Sequence, residues 1–256
     1  MATFVGDCPL KPGYDIRPPG WRRVPYSDFV ILAEDVLLLL IHDVTGKKVV
    51  DTTRLDLALA GGVLVDLTTL GRVDVSGPGD QVKEGRLVVR DAQPTGDLVL
   101  DEALRRISAM GPKKPEKVLP ALTKGLREAL LGSLVGRGIL RAQEGRILGI
   151  FPTRSWPAVD SSHERQVRTG LREVLVTGRT PAQREAALVS LLQAIDQVPH
   201  ALGDVGVPAR ELRRRAKDIS NGGFADAAVR RAVQAVNAAT TAAVTTATTA
   251  AFVAGS

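Results

Sequence analysis

Cysteine, histidine and aromatic residues are scarce in this chain of 256 residues. Cys8 is the only cysteine, and the three histidines, at 42, 163 and 200, lie far apart. A single thiol excludes an internal disulfide and a multi-cysteine zinc site, and scattered histidines argue against a histidine-based metal site. We therefore expect no metal, no other cofactor and a reducing compartment.

Long hydrophobic runs and common catalytic motifs are also missing. The first residues carry prolines and acids and lack the apolar core of a secretory signal. The longest uncharged stretch, Ala232–Ser256, is diluted by six threonines, Gln234 and Asn237, which disfavours a membrane span. There is no Walker loop, dinucleotide fingerprint, HExxH or GxSxG motif. The sequence predicts a cytoplasmic protein and offers little sign of an enzyme.

Charge is distributed unevenly along the chain. Residues 1–104 hold 11 Lys and Arg against 16 Asp and Glu, a net charge of −5, whereas residues 105–256 hold 23 against 12, a net charge of +11. A basic second part indicates an anionic partner: lipid head groups, nucleic acid or a phosphorylated small molecule. A solvated basic surface without a partner is the alternative that composition leaves open.

Composition divides the chain into three parts. Residues 1–28 are rich in proline and glycine and predict an extension without regular structure, in which Trp21 and Tyr26 suit anchoring onto the body of the protein or a membrane interface. Residues 29–236 predict one mainly helical domain with short β-hairpins. Residues 237–256 are an Ala/Thr-rich tail of low complexity.

Periodicity and punctuation predict the elements of the domain. The apolar run from residue 29 to 41 predicts a buried helix or strand, and Leu55–Leu70 predicts a core helix in which Gly61 and Gly62 allow close approach of another helix. We also expect a β-hairpin of residues 72–75 and 86–90, then a helix at Leu98–Met110 capped by Asp97.

The second half is predicted to be mostly helical. A helix from about Ala121 to Val135 is followed by a hairpin of residues 139–142 and 146–151 with its turn at Gln143–Gly145. Trp156 follows between two prolines. Helices are then expected at 162–177, 180–197, 208–220 and from 224 onward.

Three stretches together resemble the Golgi phosphoprotein 3 family, whose eukaryotic members are peripheral Golgi proteins and whose bacterial relatives are frequent in actinobacteria. The stretches are LAEDVLLLL at 32–40, LDLALAGGVLVDLTTLGR at 55–72 and, the most specific, DAQPTGDLVLDEAL at 91–104. A weaker fourth stretch covers residues 126–140. The resemblance implies a single domain with a helical core and short β-hairpins that docks on membranes through the head group of phosphatidylinositol 4-phosphate.

The family's head-group pocket is carried over only in part. Its two arginines one helical turn apart fall on Lys124 and Arg127, whereas its tryptophan falls near Asp51 and its remaining arginine near Ala60. The resemblance also implies a hydrophobic hairpin that inserts into the bilayer or makes a dimer contact, which leaves self-association open. Trp156 stands at about that place and is predicted to be an interfacial anchor or a packed tryptophan.

Two sets of cations are candidate phosphate ligands. Lys117, Lys124 and Arg127 share one face if the helix begins early enough, and Arg165, Arg168 and Arg172 repeat the pattern later in the chain. Arginine grips phosphate oxygens in a bidentate manner, so the sets predict lipid phosphate binding. For both sets the alternative is a solvated polar face.

The sequence therefore predicts a peripheral membrane protein that binds anionic phospholipid head groups. The alternative is a diverged enzyme that acts on a phosphorylated or diphosphate lipid in the same basic pocket, with Asp51, Asp56 or Asp66 as acid or base. The basic cluster at 213–217 has few aromatic residues near it, which argues against single-stranded nucleic acid. Nucleic acid is accordingly not the predicted partner.

Overall fold

The computed structural model describes residues 30–41, 52–147 and 151–222, and six positions between 230 and 238. Nine α-helices are found in this part of the chain: α1 (Leu32–Leu40), α2 (Thr52–Thr69), α3 (Leu98–Met110), α4 (Pro115–Leu122), α5 (Leu126–Gly136), α6 (Ser162–Arg172), α7 (Gln183–Ala194), α8 (Val198–Leu202) and α9 (Ala209–Asn221). A π-helical turn, Glu173–Thr177, continues α6. The predicted mainly helical fold with short hairpins is confirmed.

The centre of the domain is built by α1 and α2. Every residue of α1 is buried, including Glu34 and Asp35, which interrupt its otherwise apolar sequence, and residues 57–67 of α2 are buried as well. The predicted close approach is found at Gly62, where a Cβ atom would lie 2.8 Å from the backbone nitrogen of Ala33. Gly62 therefore has no room for a side chain, and α1 packs directly on its backbone.

Two antiparallel strand pairs accompany the helices. In the first, β1 (Val73–Val75) pairs with β2 (Leu87–Val89) in the register Val73 to Val89, which confirms the predicted hairpin of residues 72–75 and 86–90. In the second, β3 (Gln143–Ile147) pairs with β4 (Phe151–Ser155). The predicted turn at Gln143–Gly145 is therefore wrong, because these residues form the first strand and pair with residues 153–155.

The middle of the chain differs most from the prediction. Helix α3 begins as expected, with the Asp97 carboxylate accepting hydrogen bonds from the backbone of Val99 and Leu100. The single helix expected from Ala121 is instead two helices, α4 and α5. Gly125 separates them because its φ of +72° lies in the left-handed region, where the α-helix cannot continue.

The second half packs as helices around the same core, close to the predicted bounds. Helix α7 begins three residues later than predicted and ends at Ala194, and the short α8 begins directly after the last residue of the predicted helix 180–197. The predicted extension 1–28 and nearly all of the predicted tail lie outside the described residues. The division of the chain into these parts stays a prediction.

Candidate functional site

The cations matched to the family's pocket lie at the start of α5. Lys124 precedes the helix in the short connection after α4 and is exposed, and Arg127 lies in the first turn of α5 and is half-buried. Lys117 lies on α4 and is exposed. The expectation that all three share one helix face is wrong, because the break at Gly125 puts them on two helices and a connection.

Arg127 is held by a carboxylate of another helix. Its Nε and Nη2 both donate to Oδ1 of Asp56 on α2, with an Nε to Oδ1 distance of 3.0 Å. Nη2 also lies 3.5 Å from the carbonyl oxygen of Thr52. The side chains of Arg127 and Asp56 are 19% and 23% exposed, so the ion pair borders on solvent.

A groove of about 470 Å³ opens between the start of α3 and α5. Its cations are Arg106, Lys124 and Arg137, and Leu98 at its rim is 87% exposed. Arg106 donates to the carbonyl oxygen of Lys124 at 2.7 Å and to Glu102 at 2.8 Å. Arg127 does not line this groove, so the two matched cations face different neighbours.

Lys124 is the cation of the groove without an ion pair to any residue that the structure describes. Arg106 is bound to Glu102, and hydrogen bonds from Arg105 and Arg106 lower the pKa of the Glu102 carboxyl to about 2. Arg137 is bound to Glu34. Of the three cations, Lys124 is therefore the one that can bind an anion without giving up an ion pair to a described residue.

The start of α5 adds a second favourable feature for an anion. The N-cap residue Gly125 has no side chain to accept hydrogen bonds from the first turn, and it lines the groove together with Lys124. Uncapped amide groups and the helix dipole give this end a partial positive charge. Both therefore act in the same direction as the Lys124 ammonium.

The later set of arginines is engaged within the fold. Arg168 donates to Glu164 and to the carbonyl oxygen of Ala201, and Arg172 donates to the carbonyl oxygen of Leu202 at 3.1 Å. These carbonyls end the short helix α8, so the two arginines satisfy acceptors that its last turn leaves open. Arg165 is exposed and bonds to Ser161. Phosphate binding by this set stays a prediction.

Trp156 lies directly after β4 and packs partly buried against the hydrophobic core. The neighbouring Pro157 accepts a backbone hydrogen bond from Arg141 at 3.0 Å, which ties this segment to the body of the domain. A role for Trp156 as a membrane anchor stays a prediction.

Three carboxylates lie in the interior between α1 and α2. Glu34 is fully buried and bound to Arg137, and burial raises the pKa of its carboxyl. Asp35 is held by His163 at 2.7 Å and by Arg184 at 2.6 Å. Asp66 accepts from the backbone of Leu32 at 2.7 Å, and burial raises the pKa of Asp66 to about 7.

The family's other arginine falls near Ala60, which is fully buried inside α2. Asp51, near the position of the family's tryptophan, lies outside the described residues.

Sequence reasoning missed the role of Asp56, because its partner Arg127 lies 71 residues later and no local pattern joins the two. Within the described part of the chain, no group of three or more His, Cys, Asp or Glu side chains could hold a metal ion.

Together these features define a helical protein with a basic surface at the start of α5. The family model described as Golgi phosphoprotein 3 (GPP34) matches residues 32–236, most of the chain, and the chain therefore belongs to this family. The family predicted from the sequence is thus confirmed.

A curated relative is the vacuolar protein sorting-associated protein 74 of Eremothecium gossypii. It is 25% identical over 183 residues, which cover 65% of this chain and 55% of the relative. The chain thus spans about half the length of this relative.

Among the residues that the structure describes, no helix combines the length and the apolar character that a membrane span requires.

Proposed function

We propose that this protein is a peripheral membrane protein that binds anionic phospholipid head groups of the phosphoinositide type at the start of α5. The observation that carries the proposal is Lys124. It stands at a position matched to the family's head-group pocket, it is exposed beside the uncapped start of α5, and it has no ion pair among the described residues.

The neighbouring surface supports the same function. Lys113 and Lys117 are exposed on the segment that leads to Lys124 and make no ion pair to any described residue. Each lysine near an anionic membrane surface contributes about 1 kcal/mol to binding. Three such lysines within twelve residues give a membrane affinity that depends on salt, because the attraction is screened beyond about 10 Å at 0.1 M.

Arg127 supplies the specific element of the proposed site. A guanidinium donates two parallel hydrogen bonds to phosphate oxygens, which a lysine cannot do. Its Nε and Nη2 already donate to Asp56, so a head group must replace this carboxylate to use that edge of the guanidinium. In this proposal Lys124 attracts anionic head groups in general, and Arg127 selects among them.

The test is co-sedimentation with vesicles of phosphatidylcholine alone, with added phosphatidylglycerol, and with added phosphatidylinositol 4-phosphate, at two salt concentrations. The double variant Lys124→Ala/Arg127→Ala is compared with Arg210→Ala/Lys217→Ala. Arg210 and Lys217 are exposed on α9 without an ion pair to a described residue, so the control removes the same charge elsewhere.

We expect the wild type to prefer the phosphoinositide vesicles and the first variant alone to lose that preference. Equal losses in both variants would reduce the function to nonspecific attraction and overturn the proposed site. Absence of binding to all three vesicles would overturn the membrane function. Thermal melting of each variant checks that the fold is retained.

A further inference from the structure

Asp56 takes the place on Arg127 that a phosphate would take. Arg127 donates to one carboxylate oxygen of Asp56 through Nε and Nη2, and this is an edge of the guanidinium with which arginine binds phosphate. The ion pair joins α2 to α5 next to the uncapped helix start. An anion that approaches Arg127 from solvent therefore meets a competitor that is part of the same chain.

We infer that Asp56 competes with the lipid head group for the guanidinium of Arg127. Because of this competition, Arg127 binds phosphomonoester lipids but not phosphodiester lipids. This inference rests on the proposed function and concerns the selectivity of that same site.

Charge decides which anion can displace the carboxylate. A phosphomonoester carries a charge of about −1.5 to −2 at pH 7, whereas a carboxylate carries a single charge. A phosphodiester such as phosphatidylglycerol also carries only one, so it has no electrostatic advantage over Asp56, which is already in place. The monoester has such an advantage, and it presents more oxygens to the guanidinium.

The ion pair of Arg127 and Asp56 is exposed enough for a phosphate to replace the carboxylate. With side-chain exposures of 19% and 23%, Arg127 and Asp56 both reach solvent, so the released carboxylate can turn into water. The pair of Arg137 and Glu34 on the same helix bundle is different, because the Glu34 side chain is 0% exposed and has no solvent to enter. Of these two pairs, the one between Arg127 and Asp56 is placed to exchange its anion.

Arg127 is the one arginine at the positions matched to the family's pocket. By the resemblance, the family's additional arginine falls near Ala60, which is fully buried and supplies no charge. The residue that occupies the guanidinium of Arg127 therefore sets the selectivity.

The test uses Asp56→Asn, which removes the competing charge and keeps the size of the side chain. Asp196→Asn is the matched control, because it removes one negative charge from another Arg–Asp pair, with Arg213, that is about half exposed. Asp196 has a φ of +57°, a conformation that asparagine accepts readily, so the control keeps its fold. Phosphatidylglycerol and phosphatidylinositol 4-phosphate vesicles are matched in surface potential.

We expect Asp56→Asn to bind phosphatidylglycerol vesicles about fivefold more strongly than the wild type, which is the contribution of one released cation near the surface. The preference for phosphatidylinositol 4-phosphate should fall accordingly. Asp196→Asn should retain the wild-type preference, and Asp56→Asn/Arg127→Ala should lose the gain.

Three results would contradict the inference. If Asp56→Asn behaves as Asp196→Asn while the wild type still prefers the phosphoinositide, the competitor role fails and the proposed function stands. If a folded Asp56→Asn loses binding, Asp56 builds the site instead of competing for it. If the wild type binds no vesicle, the proposed function itself fails. Asp56→Ser is measured in parallel, so that a folding defect of one variant does not decide the outcome.

Discussion

Glu34, Asp35 and Asp66 lie in the interior of the helical body, whereas Lys124 and Arg127 lie at its surface at the start of α5. The interior carboxylates are bound by side chains from α6, α7 and the end of α5, and they join parts of the chain that are far apart in sequence. Lys124 has no ion pair within the described residues, and Arg127 shares a pair that solvent reaches. Access to solvent therefore separates charges that hold the fold from charges that can exchange a partner.

The largest expected effect concerns Asp66. Its pKa is raised from 3.8 to about 7 in the folded protein because burial disfavours the carboxylate. The folded state therefore binds this proton more tightly than the unfolded state, and the resulting stability is present below about pH 4 and is lost as the pH rises to about 7. A shift of this size corresponds to about 4 kcal/mol.

The measurement is the free energy of urea unfolding of the wild type and Asp66→Asn between pH 4 and pH 8. Asparagine does not ionise, and its amide oxygen can still accept the hydrogen bond from Leu32. We expect the variant to lose less stability than the wild type over this range. Parallel curves for the two proteins would show that Asp66 ionises normally and would end its assignment to the interior group.

The next effect distinguishes the arginines of α6 from each other. Arg168→Ala removes one partner of Glu164, which is 4% exposed, and the donor to the carbonyl oxygen of Ala201. We expect a loss of about 2 kcal/mol in the free energy of unfolding. The exposed Arg165 is the control, and Arg165→Ala should cost less than about 0.5 kcal/mol.

The same two variants test the lipid prediction for this set. If Arg168 serves only the fold, vesicle binding by folded Arg168→Ala equals that of the wild type. A stable Arg168→Ala variant with weakened binding would instead place this arginine among the exchangeable charges. That result would remove the distinction between the two regions.

The family was predicted from its sequence stretches. The helical fold and several local details were predicted because they depend on residues that are close together in the sequence. The cap at Asp97, the first hairpin and the close approach at Gly62 follow from short patterns. The boundary between α4 and α5 was missed because the glycine at 125 alone does not show which backbone conformation it adopts. The turn of the second hairpin was misplaced because Gln143–Gly145 has a turn-like composition within a strand.

The contacts of the charged residues could not be predicted, because they depend on tertiary packing. Asp56 and Arg127 are 71 residues apart, and Asp35 and Arg184 are 149 residues apart. Carboxylates inside the apolar runs at Glu34 and Asp66 do signal buried partners, since an unpaired buried charge is costly. That signal does not identify the partner. Spacing alone also led to the same interpretation, phosphate binding, for the cations near α5 and for those of α6.

The smallest effect on stability is expected at Lys124. Lys124→Ala removes an exposed ammonium without an ion pair to a described residue, so the free energy of urea unfolding should change by less than about 0.5 kcal/mol. Lys217→Ala, at another exposed lysine, should behave alike. A loss above about 1 kcal/mol at Lys124 alone would mean that the fold uses this charge. Lys124 would then belong with the interior group, and the strongest support for head-group binding at α5 would be gone.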